Sequence, residues 1–189
     1  MDRQLVAVIE DLQAADRRLQ ALRAALPLDA WCVRPATTSW SPAECVAHLN
    51  LTSEALLPRL RAGLAEAGDV VGRAASRYRR GLVGWLIWRT VAPTGRLRTR
   101  TLPAFVPQGD RPAEEVLEDF GRLQSDVIAC VRAADGLPID LIKVVSPFDA
   151  RVRYNLFAAL TIVPRHQHRH LLQAERAAGV VGPAAALAV

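Results

Sequence analysis

Three of the four histidines in this chain of 189 residues lie within five positions, at His166, His168 and His170. His166 and His170 are four residues apart, so on a helix their side chains lie on one face, one turn apart. Two imidazoles at this spacing can bind one divalent metal ion; the alternative is a pair of buried histidines satisfied by hydrogen bonds. His168 points roughly 160–200° away from both, so we expect it to face solvent and not to be a ligand.

The fourth histidine, His48, follows a clear signal for the start of a helix. Ser41-Pro42-Ala43-Glu44 is a capping box, in which the side chains of Ser41 and Glu44 bond each other's backbone amides. A second helix therefore supplies a histidine that could complete the site. Glu44 precedes His48 by four residues, so it could orient the imidazole or act only as the cap.

These residues must be positioned by helices. Apolar side chains that recur at three- and four-residue spacing predict four long helices. We predict no strand, and the fold class is an all-α four-helix bundle with a long crossover connection. Residues 1–180 are expected to form a single domain and residues 181–189 a C-terminal tail. The predicted long helices are 2–26, 42–67, 111–134 and 151–178, with a short one at 81–91 in the irregular crossover 69–112.

The composition excludes several classes of protein. The formal net charge is +5, and Lys143 is the only lysine, so almost all of the positive charge comes from arginine. We find no nucleic-acid-reading motif and predict no nucleic-acid partner. The longest apolar run, Gly81 to Trp88, is far shorter than the roughly 20 residues of a membrane span, and no signal peptide is recognised, so no membrane partner is predicted. Three cysteines are too few and too scattered for a disulfide framework, which favours a cytoplasmic location.

Two further groups of residues could take part in chemistry. Cys45 lies one turn before His48 and could be a nucleophile, although a small buried helix residue is the preferred interpretation. Arg96, Arg98 and Arg100 could bind the carboxylates of a thiol cofactor, or they could belong to a solvated loop.

Two motifs carry a resemblance to a known family. Residues 40–49, with the sequence WSPAECVAHL, and residues 166–173, with the sequence HQHRHLLQ, resemble the first and last motifs of the DinB/YfiT-like superfamily of metalloenzymes. The Pro-rich entry into the third long helix, Leu102 to Phe120, matches as well. The resemblance implies that His48, His166 and His170 bind one divalent metal ion, often zinc or nickel, in a bundle that often forms a homodimer. We expect Gln173, the last residue of the second motif, to hydrogen-bond to a metal-binding histidine and orient it without binding the metal itself. Glu44 is a candidate for the same role.

Three imidazoles leave at least one coordination position open, which is typical of a catalytic site. Characterised members of the resembled superfamily include transferases and an isomerase that depend on the low-molecular-weight thiols mycothiol or bacillithiol. The resemblance therefore implies a metal-dependent S-transferase that acts on a small-molecule substrate with such a thiol. The alternatives are a metal-dependent hydrolase and a metal-binding stress-response protein without turnover.

Overall fold

The computed structural model describes residues 1–70, 77–93, 101–109 and 111–180 of the chain. Within these ranges the chain is mostly helical, which confirms the predicted all-α class. Arg96, Arg98, Arg100 and the predicted tail lie outside the described residues. The α-helices are α1 (Arg3–Ala25), α2 (Pro42–Asp69), α3 (Gly81–Thr90), α4 (Ala113–Ala133) and α5 (Leu156–Ala177), and the strands are β1 (Lys143–Val145) and β2 (Arg153–Asn155).

The helix starts are set by side chains that accept hydrogen bonds from free backbone amides. Asp2 accepts from the amide of Gln4 at the start of α1. The predicted capping box begins α2, where the amide of Glu44 donates to Ser41 Oγ at 3.2 Å and the amide of Ser41 donates to Glu44 Oε2 at 2.8 Å. At the other end α2 continues one residue past Gly68, where it was predicted to end.

Four long helices form the predicted bundle. Helices α4 and α5 each pack against both α1 and α2, so α1 and α2 occupy opposite corners. The crossover between α2 and α4 contains the short helix α3, which packs against the outside of α5. A polar pair, Gln124 of α4 and Gln167 of α5, is buried inside the bundle and joined by a hydrogen bond of 2.8 Å. None of the helices in the described ranges is long and apolar enough to cross a membrane.

The prediction of no strand was wrong for a short hairpin before α5. Val144 of β1 pairs with Tyr154 of β2 in antiparallel register, and both side chains are buried. Helix α5 was predicted to begin at Arg151 but begins at Leu156, because Asn155 caps it by accepting from the amide of Ala158 at 2.9 Å. Strands of three residues are too short to show the alternation that reveals a strand. The hairpin carries Phe148 at its turn.

Candidate metal centre

His48, His166 and His170 converge on one point between α2 and α5. The ring centroid of His48 lies 4.4 Å from that of His170 and 5.3 Å from that of His166, and the two rings of α5 are 4.5 Å apart. One ring nitrogen from each residue lies within 4.8 Å of the other two. His48 is buried, whereas the other two side chains are partly exposed, so the group lies at the rim of the bundle rather than in its core.

Hydrogen bonds determine which nitrogen of two rings is free to bind a ligand. His48 Nδ1 lies 2.7 Å from the backbone oxygen of Phe105, and His170 Nδ1 lies 3.0 Å from Gln173 Oε1. A carbonyl or amide oxygen can only accept, so Nδ1 carries the proton in both rings. Nε2 then carries the lone pair. In this tautomer, Nε2 is free to bind a metal ion. Gln173 thus lies within hydrogen-bonding distance of the ring of His170.

The surroundings keep the three imidazoles neutral. Burial lowers the pKa of His48, and the hydrogen bond to Phe105 only partly opposes it. Burial, followed by the charge of His48, lowers the pKa of His170 to about 3. The pKa of His166 lies well below its ordinary value because of burial and then the neighbouring His170 and His48. Neutral imidazoles are the form that ligates metals, so at neutral pH the group needs no proton release before it binds an ion.

Of the two roles that its position left open for Glu44, its contacts support the helix cap. Its carboxylate accepts from the amide of Ser41 at 2.8 Å and forms an ion pair with Arg34, whose Nε lies 2.8 Å from Oε2. Burial alone would raise the pKa of Glu44, but the bonds from Arg34 and Ser41 lower it below its ordinary value. The cap is therefore the role that Glu44 takes, and the backbone of Phe105 takes the position beside His48.

Two other candidate residues lie outside the cluster. His168 points to the opposite side of α5, where Nε2 lies 3.2 Å from the backbone oxygen of Asp11. It is not in the histidine group, and its side chain is partly exposed and partly covered by α1. Cys45 is fully buried, and burial followed by the charge of Glu44 raises the pKa of its thiol to about 12. A thiol of this pKa is no nucleophile at neutral pH, so the structure favours the buried-residue interpretation.

Aromatic side chains that the sequence analysis did not assign to the site surround the histidines. The ring of Trp40 lies 5.1 Å from that of His48 and 6.1 Å from that of His170. The ring of Phe148, from the hairpin, lies 6.4 Å from that of His166 and 4.7 Å from that of Phe105. Trp40 directly precedes the capping box, which was a usable signal. Phe105 and Phe148 come from segments remote in sequence from the histidines, and no local pattern indicated that their side chains lie at the site.

The comparisons with known proteins agree with this geometry. The family model described as the DinB superfamily matches residues 11–174, a range that contains all three histidines. No curated protein and no solved structure matches the chain. A match over most of the chain, together with a helical bundle and a histidine group compatible with metal binding, shows that this protein belongs to the DinB superfamily.

Proposed function

We propose that His48, His166 and His170 bind one divalent metal ion, with zinc or nickel as the first choice, and that the protein is an enzyme that uses this ion. The observation that carries the proposal is the convergence of three ring nitrogens within 4.8 Å of one another. An ion bonded to each nitrogen at about 2.1 Å would draw them closer together. Packing three imidazoles side by side where one is buried and two are partly shielded from water is unfavourable unless something compensates them, and a shared cation compensates all three.

The donor set supports a reactive rather than a structural ion. The group contains three histidines and, among the described residues, no cysteine or carboxylate joins it. Structural zinc sites have four protein ligands, whereas catalytic sites have three and leave a position open. When bound, the ion would supply Lewis acidity that favours the deprotonated form of a thiol or water molecule at that position. Phe105 and Gln173 hold the imidazoles in the orientation that this requires.

The reaction that we propose is the transfer of a low-molecular-weight thiol to a small electrophile. The thiol must come from outside the chain, because Cys45 and Cys130 have pKa values raised by burial and Cys32 is not in the histidine group. The sulfur of the deprotonated thiol forms a bond to the electrophilic carbon as the bond to the leaving group breaks, and the thiol proton passes to solvent or to the leaving group. Trp40 and Phe148 would hold the apolar part of the substrate and limit the access of water.

The second candidate is a metal-dependent hydrolase. Hydrolytic zinc sites commonly place a glutamate near the ion as general base, as in the His-Glu-x-x-His proteases. In the described part of the chain no carboxylate lies in the cluster, and Glu44 is bound by Arg34 and by the backbone of Ser41. This arrangement favours an external thiol over water as the nucleophile. A binding protein without turnover is the third candidate, and the homodimer and cytoplasmic location stay predictions.

The first experiment measures metal content by mass spectrometry on protein purified without a nickel column. We expect about one zinc or nickel ion per chain in the wild type and in His168→Ala, and substantially less in His170→Ala. His168→Ala is the matched control because it removes the same side chain from the opposite side of α5. Metal that persists after replacement of all three ligands would disprove the site.

The second experiment tests the activity on metal-loaded protein. Conjugation of mycothiol, bacillithiol or a simpler thiol to an electrophile such as chlorodinitrobenzene should be catalysed by the wild type and by His168→Ala. His170→Ala should fall to the uncatalysed rate. Equal rates for the wild type and His170→Ala would rule out the transferase, whereas hydrolysis of an ester substrate in the absence of thiol would favour the hydrolase.

A further inference from the structure

A second cavity lies on the other side of α5, away from the histidine group. It has a volume of about 330 Å³ and lies between α1, α3 and α5. Arg165 and His168 of α5 line it. At 100° per residue, the side chain of His168 points about 160° away from those of His166 and His170, and that of Arg165 points about 100° away from His166 and about 140° away from His170. This volume falls at the lower end of the range of small-molecule sites. The proposed metal site does not use this cavity, and His168 is the one residue of the two family motifs that lines it.

Two guanidinium groups share one aromatic ring in this cavity. Arg80 Cζ lies 4.5 Å from the centroid of the Trp88 ring, and Arg165 Cζ lies 3.7 Å from it. Each contact is a favourable cation–π interaction, but the arrangement also places two positive charges close together. Burial, followed by the charge of Arg165, lowers the pKa of Arg80, and burial lowers that of Arg165.

No carboxylate of the described residues forms an ion pair with either guanidinium, although the charge of the nearby Asp11 raises the pKa of Arg165 and so opposes the effect of burial. None of the ion pairs formed by the described residues includes Arg80 or Arg165. Asp11 is the one acidic residue among the described residues that line the cavity, and it forms no ion pair with either guanidinium. Arg80 Nε donates to Thr161 Oγ1 at 2.9 Å, whereas Arg165 Nε is buried without a hydrogen-bond partner. Buried N–H groups of native proteins are rarely left without an acceptor.

Close packing of α3 against α5 fixes the position of the Trp88 ring relative to the two arginines. A Cβ atom on Gly84 of α3 would lie only 2.3 Å from Ala158 Cβ of α5, so the two helices touch at this point. The Arg169 guanidinium donates to the backbone oxygens of Thr90 and Ala92 at the end of α3. Both contacts fix α3 against α5, so Trp88 is held in place on a rigid support rather than on a loose surface.

We propose that this cavity binds the phosphate group of a small phosphate ester, with Arg80 and Arg165 as the anion-binding residues. A phosphate monoester carries close to two negative charges at neutral pH, which matches the two guanidinium groups. The planar guanidinium offers paired N–H donors in the geometry that phosphate oxygens accept. Trp88, Phe157 and Pro93 line the same cavity and provide an apolar wall for the organic part of the ester. The proposal does not depend on the metal site.

The alternative is that the two arginines serve only to pack Trp88. The two interpretations differ in what they predict for added anions. A packing role predicts no saturable binding, and a phosphate site predicts binding that requires both charges. The Asp11 carboxylate sharpens the distinction, because its removal should strengthen the binding of an anion at this cavity and have no such effect on a purely structural cluster.

The test is calorimetric titration of the full chain with inorganic phosphate and with phenyl phosphate, at an ionic strength held constant with sodium chloride. We expect saturable binding of both, tighter for phenyl phosphate because of the apolar wall. Arg165→Gln should weaken it by about tenfold or more, the loss typical of a charge-assisted bond. Arg176→Gln is the matched control, since Arg176 is exposed on the same helix, and it should change the affinity by less than about twofold.

Further variants keep the result interpretable if Arg165→Gln is destabilised. Arg165→Lys retains the charge but loses the paired donors, so it should bind phosphate with intermediate affinity. Asp11→Asn should bind more tightly than the wild type. The proposal is overturned by the absence of saturable binding to the wild type, by equal affinity in Arg165→Gln and Arg176→Gln, or by benzoate binding as tightly as phenyl phosphate.

Discussion

The two sides of helix α5 respond to burial in opposite ways. On the side that faces α2, His166 and His170 meet His48, and burial has lowered their pKa values so that the group is neutral. On the side that faces α1 and α3, Arg165 meets Arg80, and the burial of both groups leaves them charged. An imidazole can release its proton to avoid a buried charge, whereas a guanidinium cannot in a protein.

This difference decides which ligand each side can bind. Neutral imidazoles present lone pairs, which attract a cation and bind an anion poorly. Guanidinium groups present only N–H donors, which attract an anion. One helix can therefore carry two sites of opposite preference on different faces. Variants on each side of α5 can show whether the two sides are independent and whether they prefer ligands of opposite charge.

The largest expected effect is the loss of metal binding on one side only. His48→Ala removes a ligand together with the hydrogen bond to Phe105, so we expect zinc affinity to fall by about 100-fold or more. His168→Ala should leave the zinc affinity within about threefold of the wild type. A competition titration with a chromophoric chelator measures both constants. Similar losses in the two variants would remove the distinction between the two sides of α5.

The next effect should be confined to the arginine side. In Gly84→Val the added Cβ would meet Ala158 at 2.3 Å, so α3 must move away from α5. We expect a loss of about 1–3 kcal/mol in the free energy of unfolding and the loss of phosphate binding, with zinc binding retained. Gly121→Val on α4 is the control, because a Cβ there meets nothing within 4 Å. Urea unfolding measures the stability, and titrations with zinc and with phosphate measure the two affinities. A parallel loss of zinc binding and phosphate binding would show that the sites are coupled.

A smaller effect is expected from the residue that orients His170. Gln173→Leu removes the acceptor at 3.0 Å from Nδ1, so the Nε2 tautomer is no longer favoured and zinc affinity should fall by about tenfold. Gln20→Leu makes the same change at an exposed position of α1 and should have no effect. Chelator competition again gives the affinities. An unchanged affinity in Gln173→Leu would mean that the bond to His170 does not set the tautomer.

The smallest effect is a dependence of stability on pH that belongs to the histidine side. Since the pKa of His170 is lowered from 6.5 to about 3, the unfolded chain binds more protons than the folded chain between these values. Metal-free protein should therefore have its full stability above pH 6.5 and lose it as the pH falls toward 3.

The measurement compares thermal unfolding of metal-free wild type and His170→Gln at pH 7.5 and at lower pH. We expect the melting temperature to fall by about 2–4 °C more in the wild type by about pH 5.5. Arg165→Gln should show the same pH dependence as the wild type, because the arginine stays charged throughout this range. An equal dependence in the wild type and His170→Gln would contradict the lowered pKa.

Local sequence patterns were enough to predict much of the fold and part of the site. The capping box located the start of α2, because cap geometry involves only residues within one turn of each other. The spacing of His166 and His170 predicted a shared face, and helical phase separated His168 from it, because both follow from the pitch of one helix. The same local reasoning misplaced the start of α5, where the pairing of β2 with β1 overrides the apolar pattern.

The expectations about Glu44 and His168 show where local reasoning ends. Glu44 is close enough to His48 on the helix to orient it, but Arg34 and Ser41 bind its carboxylate. His168 points away from the cluster, and it contacts α1 while its side chain stays partly exposed. The capping box had already predicted the contact with Ser41, but Arg34 and Asp11 belong to other segments, and no spacing within the helix itself could reveal their contacts.

The sequence by itself determined the long helices, the pair of histidines on one face of α5 and the nitrogen donors of the candidate site, since these depend on residue type and on short-range geometry. Only the tertiary structure decided what surrounds that pair: the approach of His48, the Phe105 carbonyl, the rings of Trp40 and Phe148, and the arginines on the far side. Each of these contacts joins residues that are distant along the chain. Their positions depend on how whole helices pack, which is a property of the assembled bundle rather than of any one segment.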